Sequence, residues 1–161
     1  MCIRDRNYQL APEIELRTLE TNGTGFVRMV TAVFRYFAQQ KGGHLAVISS
    51  IAGTKGLGAA PAYSATKRFQ NTYIDALEQL AHIQKLSIRF TDIRPGFVAT
   101  GLLNDDKHYP MLMHTEKVAR HIVHALEKKK RIVVIDWRYR ILVALWRLIP
   151  SFLWKRMTVR N

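Results

Sequence analysis

Apolar residues recur at three- and four-residue steps through the first quarter of the chain, at Phe26, Val30, Val33, Phe34 and Phe37. That period predicts a helix over residues 11–40, which Lys41-Gly42-Gly43 ends in the manner of a glycine cap. The pattern then changes. His44-Leu45-Ala46-Val47-Ile48 is a short unbroken apolar run of the kind buried in a parallel strand. A Gly- and Ala-rich loop over 49–60 leads into a second helical pattern over 62–84 and a second strand over 87–93, stopped by Pro95-Gly96. No clear period runs from 97 to 114. Thr115 reads as the N-cap of a helix reaching about Lys129, and residues 131–135 as a third short strand. Beyond it, residues 137–157 form a mixed apolar and basic stretch that Pro150 divides into two short helices.

Helix and strand alternate three times, which is the signature of an α/β fold with a parallel sheet. Three strands make a small sheet, and the central neighbour of the first is expected to be missing. There are no internal repeats and no low-complexity linker. With 161 residues, 48% of them hydrophobic, the chain can bury the core of one domain.

Composition narrows the partners. No apolar run spans a bilayer without charge, and the opening residues resemble no signal peptide, so a cytoplasmic protein is expected, with peripheral membrane contact as an option. The single Cys2 forms no internal disulfide and no thiolate metal site. His121 and His124 lie three apart with no carboxylate or thiol beside them, so no metal is expected. The formal charge is +13, from 25 Lys and Arg against 12 Asp and Glu. It is concentrated late, in the Lys128–Arg131 run and in Arg138, Arg140, Arg147, Lys155, Arg156 and Arg160, with Asp136 alone opposing them. A uniformly basic nucleic-acid binder would not look like this, and no nucleic acid is expected. Trp137, Trp146 and Trp154 among Ile, Leu and Arg suit a helix lying in a membrane interface, a lid or a subunit contact.

The chemistry centres on Tyr63-Ser64-Ala65-Thr66-Lys67. A Tyr and a Lys four apart share a helix face. A free phenol titrates near 10, and a neighbouring ammonium favours the phenolate, which makes Tyr63 a candidate general acid/base. Upstream, Ile48-Ser49-Ser50-Ile51-Ala52-Gly53 places a hydroxyl where a strand runs out into a loop; downstream, Arg94-Pro95-Gly96-Phe97-Val98-Ala99-Thr100 does the same at the next strand. Ligands in open α/β sheets bind beyond the carboxyl ends of strands.

The order and spacing of these motifs resemble the short-chain dehydrogenase/reductase family: Ser-Ser-Ile-Ala-Gly, then Tyr-x-x-x-Lys thirteen residues after Ser50, then Pro-Gly-x-Val-x-Thr. The resemblance covers residues 11–135. It implies a Rossmann-like parallel sheet with flanking helices, truncated here to roughly three strands and followed by C-terminal helices. It also implies an NAD- or NADP-dependent oxidoreductase acting on a small carbonyl or alcohol, forming a homo-oligomer when full length. By position, Tyr63 would exchange the proton, Lys67 would hold the nicotinamide ribose, and Ser50 would bind the substrate oxygen, with Ser49 its nearest rival. Asn22 would occupy the fourth catalytic position, a reading favoured over that of a turn or N-cap residue, although Asn-Gly is a common turn pair. Pro95, Gly96, Val98 and Thr100 match the segment that contacts the nicotinamide carboxamide.

The departures are as specific. No Gly-x-Gly-x-x-Gly follows a strand, so the phosphate-binding loop and the ribose selector are absent from these residues, and the choice between NAD and NADP stays open. Met1–Arg6 does not resemble the family. The organisation expected is a non-native leader over 1–10, a partial Rossmann-type catalytic domain over 11–136 and a basic, Trp-rich helical appendage over 137–161. A non-catalytic fragment, or a membrane-surface role for the basic segment, are the alternatives. Leu102, Leu103, Tyr109, Met111 and Met113 either line an apolar pocket or cover the core.

Overall fold

A computed structural model of the chain describes residues 9–100, 109 and 111–157. The helix expected over 11–40 is present as α1 (Pro12–Leu19) and α2 (Phe26–Gln39), joined without a break by a π-helical turn at Glu20–Gly25. Phe26, Val30 and Phe34 form its buried stripe. The chain leaves α2 through Lys41, which takes the left-handed conformation at φ 56°. The glycines behind it do not cap the helix; they open β1 (Gly42–Ile48). Gly43 is there for space, since a Cβ would stand 2.2 Å from the Phe37 ring. The helices α3 (Pro61–Ile83) and α4 (Thr115–Glu127) are likewise followed by left-handed lysines, Lys85 and Lys129. An ammonium there also complements the carbonyl end of the helix dipole.

The main sheet is parallel, in the order β1–β2–β5, with β2 (Ser87–Arg94) central and β5 (Ile132–Val134) on the far side. Pairing sets Leu45 beside Phe90 and Ile48 beside Ile93. Side chains alternate along a strand, so these two pairs lie on opposite faces. On the first face α2 and α3 close over Phe34, Leu45, Ile74, Leu77 and Phe90. On the second, α4 and α5 (Trp137–Leu148) bury Ile93 with Val118, Ile135, Tyr139 and Val143. That second cover stops at β2: Ile93 is 1% exposed and its neighbour Ile48 is 53% exposed. Among the described residues β1 is therefore an edge strand with one open face, where its apolar run had suggested burial on both.

Where no period was visible, β3 (Val98–Ala99) and β4 (Met113–His114) pair in a short parallel ladder. The helix after them starts one residue away from expectation. His114 holds the cap position without a side-chain cap bond, and Thr115 is already helical. Met113 belongs to the second core, Met111 packs against it, and Tyr109 stacks on Phe97 at 4.9 Å, so these three cover the core. Leu102 and Leu103, and residues 1–8 of the expected leader, lie outside the described residues. The stretch from Trp137 splits at Pro150 into α5 and α6 (Ser151–Trp154). It supplies Tyr139 and Val143 to the second core.

Candidate active site

Two strand exits meet at the carboxyl rim of the sheet. β1 ends in Ser49 and Ser50, β2 in Pro95-Gly96, and the backbones are tied by Ser49 N donating to Ile93 O at 2.8 Å and Ile51 N to Pro95 O at 3.2 Å. The start of α3 brings Tyr63 to the same rim. Its phenol is buried there, close enough to the Ser50 hydroxyl for that group to lower its pKa. Ser50 Oγ also accepts from Ala52 N at 3.1 Å, which holds the hydroxyl at the head of the short 3-10 turn Ile51–Thr54. Ser49 is engaged elsewhere: its hydroxyl donates to the Asp92 carboxylate.

One turn along α3, Lys67 is buried, with its ammonium 5.8 Å from the centre of the Tyr63 ring. It donates to Ile48 O at 3.3 Å and to Gln70 Oε1 at 3.0 Å. Gln70 Nε2 donates in turn to the main-chain carbonyl of Asn22 at 2.8 Å, and Asn22 Nδ2 to Thr66 Oγ1 at 3.3 Å. Asn22 sits inside the π-helical turn, a departure from the regular ladder that often marks functional positions. The structure thus brings Asn22, Ser50, Tyr63 and Lys67 together. Gln70 was missed in the sequence. Its signal was its place three residues after Lys67, on the same helix face.

The electrostatics run against one expectation. Lys67 was expected to draw the phenol's pKa down. Burial instead pushes Tyr63 up to about 12, and the hydrogen bond from Ser50 offsets only part of that. Burial also lowers Lys67 to about 8, against the opposing pull of the Asp92 charge. At neutral pH the site holds a protonated phenol beside a lysine that is still charged.

Beneath the rim, Asp92 is fully buried and accepts from Arg94 Nε at 2.7 Å and Arg94 Nη2 at 2.6 Å as well as from Ser49. The Asn71 amide nitrogen completes the cluster, facing Asp92 Oδ2 at 3.2 Å and Ser49 Oγ at 3.1 Å. A buried carboxylate satisfied from this many sides fixes the end of β2 against α3. The Pro95-Gly96 turn is held from the other side. Phe97 N donates to the Tyr139 hydroxyl at 3.1 Å, and a Cβ on Gly96 would meet the Tyr139 ring at 2.2 Å. Val98 and Thr100 follow in and just after β3, Thr100 being exposed.

The family model described as short chain dehydrogenase matches residues 6–109. The chain belongs to the short-chain dehydrogenase family. Its relatives include an uncharacterized oxidoreductase of Myxococcus xanthus, 29% identical over 83% of this chain and 52% of that protein. Dehydrogenase/reductase SDR family member 7B of Bos taurus is 32% identical over 93% of this chain and 50% of its own length. This short-chain dehydrogenase chain therefore spans about half the length of the curated relatives it matches. Among solved structures, a short-chain dehydrogenase from Sphingobium yanoikuyae in complex with NADPH superposes on the whole of this chain and 64% of its own, with a TM-score of 0.75 at 18% identity. That likeness concerns the fold: a parallel sheet with helices on its faces.

Proposed function

We propose that the protein is an NAD(P)-dependent oxidoreductase in which Tyr63 exchanges a proton with the oxygen of a small carbonyl or alcohol substrate. The observation that carries this reading is the buried Tyr63 phenol at the strand rim beside Ser50, with the Lys67 ammonium 5.8 Å from the centre of its ring. The residues present fit the nicotinamide end of a dinucleotide. Lys67 lies at the carboxyl end of β1, and only two acceptors for its three N–H groups occur among the described residues, so one donor is left for a ribose hydroxyl. Pro95, Gly96, Val98 and Thr100 would border the carboxamide. The phosphate end has no glycine-rich loop in this sequence, and NAD and NADP both remain compatible with it.

When bound, the dinucleotide supplies or accepts the hydride. The chain's own residues handle the proton. Held up near 12, Tyr63 begins as an acid and donates to the substrate oxygen in the direction of reduction. Ser50 turns its own hydroxyl to the same oxygen, which leaves the phenol proton for the substrate. As the phenol loses its proton, the nearby Lys67 charge stabilises the phenolate. Gln70 and Asn22 keep that ammonium in place. These 161 residues alone are proposed not to turn over, because they carry one end of the cofactor site. Homo-oligomer formation and a cytoplasmic location belong to the same reading of the complete protein.

The test is a pair of measurements on the complete protein, cofactor affinity and steady-state rate. Tyr63→Phe is expected to lower the rate by about 10²–10⁴-fold and leave cofactor affinity largely intact. Lys67→Ala is expected to damage both. A Tyr63→Phe enzyme that keeps most of its rate removes Tyr63 from this role.

A further inference from the structure

Helix α5 is apolar on two opposite sides. Tyr139 and Val143 face the second core. At 100° per residue, Trp137, Ile141, Leu145 and Leu148 form a second stripe on the other side. All four are exposed, Leu148 at 79% and Trp137 at 62%. Phe152, Leu153 and Met157 extend the exposed apolar surface past Pro150. An apolar patch of this extent on a folded surface marks an interaction site.

The charges around it indicate the partner. Arg140 and Arg147 border the stripe on one edge and Arg138 on the other, and Lys155 and Arg156 stand beside Phe152 and Leu153 in the chain. Asp136 engages Arg138 through its carboxylate at 3.0 Å and draws Lys117 to 3.7 Å. Arg140, Arg147, Lys155 and Arg156 make no ion pair with any described residue, and the sequence over 137–161 contains no Asp or Glu. Two copies of this chain meeting through the stripe would set these cations against each other. No helix among the described residues is long and apolar enough to cross a membrane. An apolar stripe edged by arginines, those of one edge without an ion pair among the described residues, with Trp at one end, is the arrangement of a helix that lies in a bilayer surface.

We infer that the outer face of α5, continued by α6, docks on an anionic lipid surface. This does not depend on the assignment of Tyr63, so the two readings can fail separately. The test is co-flotation of the complete chain with vesicles of phosphatidylcholine alone or of phosphatidylcholine with phosphatidylglycerol; flotation separates lipid binding from aggregation, which sinks. The protein should rise with the anionic vesicles and stay behind with the neutral ones. Arg140→Gln and Arg147→Gln should each weaken partitioning by about fivefold. Leu145→Ser and Leu148→Ser, at exposed positions, should abolish it while leaving the thermal melt unchanged. Met29→Ser, on the exposed side of α2 away from this stripe, should leave flotation as it was. Failure to float with either vesicle overturns the inference. So does flotation that survives the α5 substitutions or is lost with Met29→Ser, or a vesicle-free dimer that Leu145→Ser dissolves.

Discussion

Lys67 donates to Gln70 at 3.0 Å, and through Gln70 its position is tied to the carbonyl of Asn22 on a different helix. An amide in this place holds the ammonium without neutralising it. Gln70→Leu in the complete protein is therefore expected to raise the KM for the dinucleotide about tenfold, the scale of one lost hydrogen bond to a charged group, with a smaller change in kcat. Gln70→Glu is expected to move the alkaline limb of the pH–rate profile upward, because a carboxylate raises the pKa of its ammonium partner. If both variants keep the native KM and profile, Gln70 is a packing residue only.

Lys67 also gives the fold a pH signature. Its pKa falls from 10.5 to about 8 on folding, mainly through burial. Between those values the unfolded chain holds a proton that the folded chain has released, so this group's contribution to stability rises with pH. Below about 8 both states are protonated and the full penalty of burying the charge remains. Relative to Lys67→Met, the native protein should gain about 2 kcal/mol between pH 7 and pH 10. Urea melts of both proteins at the two pH values measure it. An unchanged difference would mean that the ammonium is hydrated in solution.

Gly53 and Gly56 lie three residues apart in one loop with opposite surroundings. A Cβ on Gly53 would come within 2.7 Å of the Asn71 amide and 2.8 Å of the Lys67 main chain; on Gly56 it would meet nothing within 4 Å. Gly53→Ala should cost about 1–3 kcal/mol, as overpacking does, and disturb the site through Lys67. Gly56→Ala should change stability by no more than about 0.5 kcal/mol. Equal thermal melts for the two variants would contradict this packing.

Along β1 the open face and the groove beside it, about 670 Å³ and lined by Phe26, Met29, Val33, Ile48 and Lys67 among others, leave apolar surface without cover. Uncovered strand edges template association. The 161-residue chain is expected to grow in size with concentration by light scattering, and Ile48→Lys with Met29→Lys to suppress that growth. A monodisperse monomer with a cooperative melt would show the edge to be harmless.

The helical period, the three strands and the gathering of Ser50, Tyr63 and Lys67 were legible because each depends on spacing along one element or on which strand ends lie side by side. What the sequence hid depends on surroundings. Ile48 looks as buried as Val47 in a row of apolar residues; only the reach of α4 and α5 across the sheet decides that it is exposed. The phenol's raised pKa comes from burial, which no motif records. Gln70 reads as an ordinary polar helix position until the π-helical turn brings the Asn22 carbonyl to it. The left-handed lysines after α2, α3 and α4 stand where glycine is the usual choice, so sequence favoured Gly42 over Lys41.

Two bonds join the loop that follows Ser50 to the end of the chain. Lys55 Nζ donates to Ile149 O at 2.7 Å, and Trp154 Nε1 to Gly56 O at 2.7 Å. A ligand that displaces this loop must work against both bonds, and anything that lifts α6 away releases the loop. The free energy connecting the two events is a single quantity. If occupancy of the rim loosens the hold on α6 by some factor, detaching α6 strengthens occupancy of the rim by that same factor.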